Sequence, residues 1–195
     1  MGRPLSFDPE MALVQALYLF WQHGYDGVSI TDLTEGLGIA RPSLYAMFGN
    51  KEKLFERVIE KYYAEHMQFS QEALQRSKAT DVAHGILHGF VDVTTGPQTP
   101  LGCLVVNAAM ASTDDNARIQ HKLAVCRART EHKLRHRFKR ALDEGDLPPS
   151  ADPARIAKFL LIIARGIAVQ ARVGVSREEL HAIVDTALGA GLPST

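Results

Sequence analysis

The sequence holds only two cysteines, Cys103 and Cys126, in 195 residues. That number excludes a disulfide-stapled scaffold and fits a reducing compartment. No long apolar run is present, and Phe159–Ala164 falls far short of the roughly 18 residues that a membrane span needs. The opening MGRPLSFDPE lacks the apolar core of a signal peptide, so a cytoplasmic location is expected. Charge is balanced, with 22 basic and 22 acidic side chains, and bulk electrostatics give no pointer to nucleic acid. There is no phosphate-binding loop, nucleophile–base pair or carboxylate dyad, so neither an enzyme nor a cofactor is expected. What remains is an ordinary globular composition, 46% hydrophobic and 23% charged, in a chain long enough for one large domain or two modest ones.

The most organised stretch is SITDLTEGLGIARPSLYAMFGNKEK, residues 29–53. Ser29 and Asp32 have the spacing of a shortened capping box. Ile30, Leu33 and Leu37 form the buried stripe of a short helix. Gly36 and Gly38 flank the point where the backbone must reverse, and Ile39 fills the angle beyond it. A second short helix starts at Arg41-Pro42, where proline's missing N–H costs nothing. It ends at Gly49, and Asn50 caps the next helix. This is helix-turn-helix grammar, with the second helix presented to a DNA major groove.

PSLYAMFGNKEKLF is similar to the recognition helix and following helix of the TetR family of bacterial transcriptional regulators, and ALYLFWQHGYDGVSITDLTEGLGIA resembles that family's first two helices. The resemblance is strong over residues 1–60 and beyond them is one of helical layout. It implies a homodimer with a DNA-binding head and a larger ligand-sensing body. The expected fold is therefore all-α: a three-helix helix-turn-helix head at 1–52 and a helical ligand-binding and dimerisation body at 53–195.

Within the head, Leu44 and Phe48 stand at i, i+4 and face inward, which leaves Arg41, Ser43 and Tyr45 for the outward face. Docking in the manner of the TetR family would send Arg41 and Ser43 to base edges or phosphates and Tyr45 to the backbone. Lys51 and Thr31, each near a helix N-terminus, are phosphate candidates. Arg3, in the terminal arm, is a candidate for a phosphate or the minor groove. The competing reading of each is a solvent-facing side chain, and of residues 1–7 a disordered tail. Residues 1–55 carry four cations against six anions, unusual for a DNA-binding head, so the assignment rests on pattern rather than charge.

In the body, one long helix is expected from Asn50 through Ser77, then a helix from Val82 recapped by Thr80-Asp81. TTGPQTP (94–100) is a loop, and LGCLVVNAAMAS (101–112) a helix of about three turns. Asp114, Asp115 and Asn116 cap a basic helix from Ala117 to Leu142, whose charged faces read as solvated, with a nucleic-acid or anionic-membrane surface, or attraction of an anionic ligand, as the alternatives. Asp152-Pro153 opens a helix apolar on most sides, and Ser176 and Glu179 open the last one. Two such C-terminal helices are expected to bury their second face in a two-fold four-helix bundle.

Two histidine pairs, His84/His88 and His132/His136, share the i, i+4 spacing that can hold zinc when a third ligand converges. Neither has the adjacent glutamate of a metalloprotease helix, and no metal site is expected. Met67, His88, Phe90, Cys103, Asn107 and Met110 are the expected ligand-lining residues. The function expected is a dimeric repressor acting on a double-stranded DNA operator and released by a small molecule. A redox or electrophile sensor through Cys103, or a small all-α metal-binding enzyme, remains the alternative.

Overall fold

The computed structural model describes residues 8–110 and 116–191, which form ten α-helices and, among the described residues, no strand. They divide into two compact units, residues 1–65 with 104–120, and residues 66–103 with 121–195.

The first unit contains α1 (Pro9–His23), α2 (Ile30–Leu37), α3 (Arg41–Phe48), α4 (Lys51–Glu65) and α7 (Leu104–Met110). Asp8 caps α1 by accepting from the Glu10 N–H at 2.9 Å, with Pro9 in the first turn. The α1 face of Leu13, Leu17, Phe20 and Trp21 is buried. Phe20, Tyr25 and Phe55 form one aromatic cluster, with ring centroids 5.0 to 6.0 Å apart. Trp21 meets Tyr62 edge-on at 4.8 Å. Rings of this size each remove about 150–250 Å² from water, so these contacts weld α1 to α4. Lys61 on α4 ties back to Glu10 on α1 and along its own helix to Glu65. Asn107 of α7 donates its Nδ2–H to the carbonyl of Trp21 at 2.9 Å, satisfying one of the carbonyls that the last turn of α1 leaves open.

The second unit contains α5 (Gln68–Gln75), α6 (Ala79–Thr94), α9 (Pro153–Arg172), α10 (Arg177–Gly191) and α8 (Ala117–Asp143) from its second turn on. α6 is central, packed against α5, α9 and α10. Asp152 caps α9 through the N–H groups of Ala154 and Arg155, and the Ser176 hydroxyl accepts from the Glu179 N–H at the start of α10.

Four expectations are corrected. The helix expected from Asn50 through Ser77 ends at Glu65 and resumes at Gln68. Its continuation packs on α6, where the Phe69 ring lies so close to Gly89 that a Cβ there would stand 2.2 Å from it; that seat sets the course of α5. α6 starts at Ala79 rather than Val82, and neither Thr80 nor Asp81 caps it. Asp146, 67 residues away, accepts from the Ala79 N–H at 2.5 Å. α7 starts at Leu104 rather than Leu101, because the Gly102 N–H closes on the Thr94 carbonyl at 2.9 Å and finishes the loop. Arg137, expected on a solvated face, is only 4% exposed. It donates to the carbonyls of Arg76 and Ser77 at 2.7 and 3.0 Å. Of the expected cap of α8, Asp114 and Asp115 lie outside the described residues.

Asp146 and Arg137 thus clamp the α5–α6 turn from both sides. Burial raises the Asp146 carboxyl, but the Ala79 N–H, the Lys78 ammonium and Arg137 outweigh it and hold it below the usual carboxylate range. A lowered folded-state pKa gives stability that is complete above the unfolded value, about 4, and is lost as pH falls through the folded value. Asp146→Ala is therefore expected to lower unfolding free energy at pH 7 by about 1 kcal/mol. The difference from the unaltered chain should shrink at pH 3; equal urea midpoints at pH 7 would remove Asp146 as a cap.

Candidate nucleic-acid interface

The α2–turn–α3 unit is built by local chemistry. Ser29 Oγ accepts from the Asp32 N–H at 3.0 Å, and Asp32 accepts from the Ser29 N–H at 2.7 Å. This reciprocal box holds the Asp32 carboxyl below its ordinary value, chiefly through the Ser29 backbone N–H. Leu33 and Leu37 are buried. Gly38 closes α2 in the left-handed region, at φ 64°, with its N–H and that of Ile39 returning to the carbonyls of Glu35 and Thr34. Gly36 has a different task from the one its position suggested. It lies within α2, where an added Cβ would stand 2.8 Å from Leu19 Cδ1, so its missing side chain lets α2 approach α1. α3 follows with Pro42 in its first turn and no side-chain cap.

On α3, Leu44 and Phe48 are buried, while Arg41 is exposed, Ser43 half-buried and Tyr45 41% exposed. Arg41 and Tyr45 pair at i, i+4: the guanidinium lies 5.8 Å from the ring centroid, and its Nη2 donates to the Tyr45 hydroxyl at 3.4 Å. This pair places a cation and a hydroxyl side by side on the exposed face of α3.

Lys51 is placed differently from expectation. It is half-buried, its ammonium 4.2 Å from the Tyr25 ring centroid. Burial lowers its pKa, opposed by Asp26 and Asp32. Its charge lies over a ring at the N-terminus of α4 rather than free in solvent. Asn50 Oδ1 accepts from the Lys53 N–H at 2.8 Å and caps the same helix. Thr31 is exposed on the first turn of α2. Arg3 lies outside the described residues.

One residue escaped the sequence reading. Arg57 of α4 donates to the Met47 carbonyl at 3.4 Å, and its guanidinium sits 5.0 Å from the Phe48 ring centroid. It satisfies the C-terminal end of α3 and fixes that helix on α4. Its position nine residues past Phe48 carries no local motif, so only the α3–α4 angle reveals the contact.

The expected ligand-lining residues belong to both units. Met67, Phe90 and Cys103 are buried in the second unit. His88, on α6, contacts His181 and Asp185. Asn107 is buried in the first unit and engaged with Trp21. The side chain of Met110 lies outside the described residues. None of the six borders either of two open depressions in the second unit, of about 470 and 380 Å³. The larger, between α5 and α8, is bordered by His132, Lys133, His136, Arg137 and Arg140. Cys103 is 4% exposed, and burial pushes the Cys126 thiol up, away from thiolate.

Residues 12–58 match the family described as bacterial regulatory proteins, tetR family, and residues 64–187 match the tetracyclin repressor-like C-terminal domain. The chain belongs to the TetR family. It is 36% identical over 193 residues to the HTH-type transcriptional repressor ComR of Escherichia coli K12, covering 96% of this chain and 90% of that one. Over 61 residues, 31% of each chain, it is 52% identical to the HTH-type transcriptional repressor BdcR of the same strain. Among solved structures it is similar to the TetR family regulator CifR, studied as a cysteine mutant complexed with 26-bp double-strand operator DNA. There the TM-score is 0.92 at 36% identity, covering 97% of this chain and 100% of that one.

The turn itself offers a direct check. With φ 64° and no atom within 4 Å of an added Cβ, Gly38→Ala tests backbone strain without steric conflict. It should cost about 1–2 kcal/mol, read as a lower urea midpoint; no loss would mean that another residue absorbs the reversal.

Proposed function

We propose that this TetR-family chain is a dimeric repressor that binds a double-stranded DNA operator through α3 and leaves it when a small-molecule effector binds. The observation that carries the reading is the exposed Arg41–Tyr45 pair on a helix backed by a capped turn and buried leucines. Arginine reads guanine by two parallel hydrogen bonds, and a tyrosine hydroxyl beside it suits a backbone phosphate. Ser43, Thr31 and Lys51 complete the contact face. The division of labour is a DNA-binding head at 1–52 and a ligand-binding and dimerisation body at 53–195, acting in the cytoplasm. Among the described residues, no helix is long and apolar enough to cross a membrane.

Dimerisation through the two C-terminal helices is supported by what each leaves uncovered. Ile162 of α9 is 60% exposed and Ile183 of α10 47% exposed, whereas Ile156, Leu160, Ile167, Leu180 and Val184 are buried within the chain. Gly166 and Gly189 have nothing within 4 Å of an added Cβ. Helices that hide one apolar face inside the chain and show isoleucine on another suit a two-fold bundle with a second copy. That bundle would hold two α3 helices at half-sites about 34–36 Å apart. Ile162→Asp should shift the chain from dimer to monomer in light scattering and abolish cooperative operator binding; a retained dimer would move the interface elsewhere.

The six acids in the head set the expected salt response. With few cations neutralising phosphates, the slope of log K against log salt should be shallow, roughly −4 to −5 per dimer. Fluorescence anisotropy on DNA upstream of the protein's own gene should show salt-sensitive binding. Arg41→Ala should weaken it by about 1–3 kcal/mol per half-site. Operator binding unchanged by Arg41→Ala and Tyr45→Ala would refute the assignment of this face.

A further inference from the structure

The second unit places three histidines and two aspartates in one line across α6 and α10. Asp185 Oδ1 is 3.1 Å from His88 Nε2; His88 Nδ1 is 2.7 Å from His181 Nδ1; His181 Nε2 is 3.1 Å from Asp92 Oδ1. Three polar contacts therefore run through two imidazole rings. An ionised carboxylate only accepts, and a neutral imidazole carries one N–H. Two neutral rings thus supply two hydrogens for three contacts, and one contact is left with two lone pairs facing each other. The line is complete only when one further positive species enters it.

The surroundings decide where that species belongs. At the Asp92 end the charge is already met, since the Arg177 guanidinium donates to the same Oδ1 at 2.5 Å. In the tautomer where His181 donates from Nε2 to Asp92 and accepts at Nδ1 from His88, the His88 Nε2 lone pair faces Asp185. At this end stands His84, one turn earlier on α6, its ring stacked with that of His88 at 5.6 Å between centroids. One ligand atom from each of His84, His88 and Asp185 lies within 4.8 Å of the other two. Tetrahedral ligands with bonds of about 2.0–2.1 Å stand roughly 3.3 Å apart. The His88–Asp185 pair, at 3.1 Å, is close to that spacing, and the His84 side chain is exposed on the same side.

We propose that His84, His88 and Asp185 form a binding site for one divalent transition-metal ion of zinc type, with water completing the coordination. Two imidazoles and a carboxylate suit zinc and its neighbours better than magnesium or calcium, which favour all-oxygen shells. His181 is a positioning residue: its contact with His88 Nδ1 fixes the tautomer that leaves Nε2 for the metal, and Asp92 fixes His181 in turn, the outer-shell arrangement usual for ligating histidines. His84 and Asp185 are exposed and His88 is half-buried, so an ion reaches the site without unfolding. The His132/His136 pair on α8 has the same spacing but, among the described residues, no third ligand within reach.

The test is titration of the tag-free, metal-stripped chain with Zn²⁺ by calorimetry, and with Co²⁺ by visible absorption. One ion per chain should bind, with Co²⁺ bands of a tetrahedral or five-coordinate nitrogen–oxygen site. His84→Ala and Asp185→Asn, both at exposed positions, should each weaken binding by at least the 10–100-fold typical of outer-shell losses, with helicity unchanged. His181→Ala should weaken it about tenfold, and His132→Gln/His136→Gln should leave it intact. Three results would overturn the proposal: no binding at 100 µM metal, affinity indifferent to His84→Ala and Asp185→Asn, or loss in the α8 double variant. Because the readout is metal binding alone, its failure leaves the DNA-binding reading untouched.

Discussion

An α-helix leaves four N–H groups at its start and four carbonyls at its end without partners along the helix. The described residues repeat that demand ten times, and α2, α3 and α5 are only eight residues long. Helices so short are not stable alone, so the groups at their ends must find partners if the elements are to persist. Where those partners come from orders the rest of the structure. Asp8, the Ser29–Asp32 box, Asn50, Asp152 and Ser176 answer locally, within three residues. Asn107, Asp146 and Arg137 answer from 86, 67 and about 60 residues away. The local caps define where elements begin. The distant ones join one element to another, Asn107 holding α7 to α1, and Arg137 and Asp146 seating the α5–α6 turn on α8 and the loop behind it.

The contact face of the head inherits this logic. α3 has no side-chain cap of its own, and is held by Leu44 and Phe48 beneath it and by Arg57 at its C-terminal end. That support frees its outward residues from structural duty, so Arg41 and Tyr45 engage each other and solvent. Balanced overall charge and an acidic head are compatible with this use, because acids such as Asp32 and Asp8 are committed to helix starts, where a negative charge is favoured by the helix dipole. A net count treats all charges alike, whereas a groove meets only those on the presented face.

The basic helix α8 shows how far composition can mislead about a side chain's task. Its cations stand against few acids and read as one solvated surface, yet Arg137 lies buried as a donor to two carbonyls, and Lys158 of α9 draws Glu131 into an ion pair at 2.7 Å. The His84/His88 pair is the complementary case. Its spacing was plain, but the third ligand, Asp185, stands about a hundred residues on in a helix whose register against α6 no local pattern encodes.

The sequence by itself determined the helices with their own start and stop signals, the helix-turn-helix with its capping box and Gly38, the inward leucines of α2 and α3, and the two apolar C-terminal helices. Each of these depends on residues within one or two turns of each other, and such short-range chemistry leaves a pattern in the chain. Only the tertiary structure decided the break between α4 and α5, the late start of α7, the burial of Arg137, the reach of Asp146 to Ala79, and the meeting of His84, His88 and Asp185. Those depend on how helices pack, through contacts such as Phe69 on Gly89. Packing couples residues by distance in space, which separation along the chain does not carry.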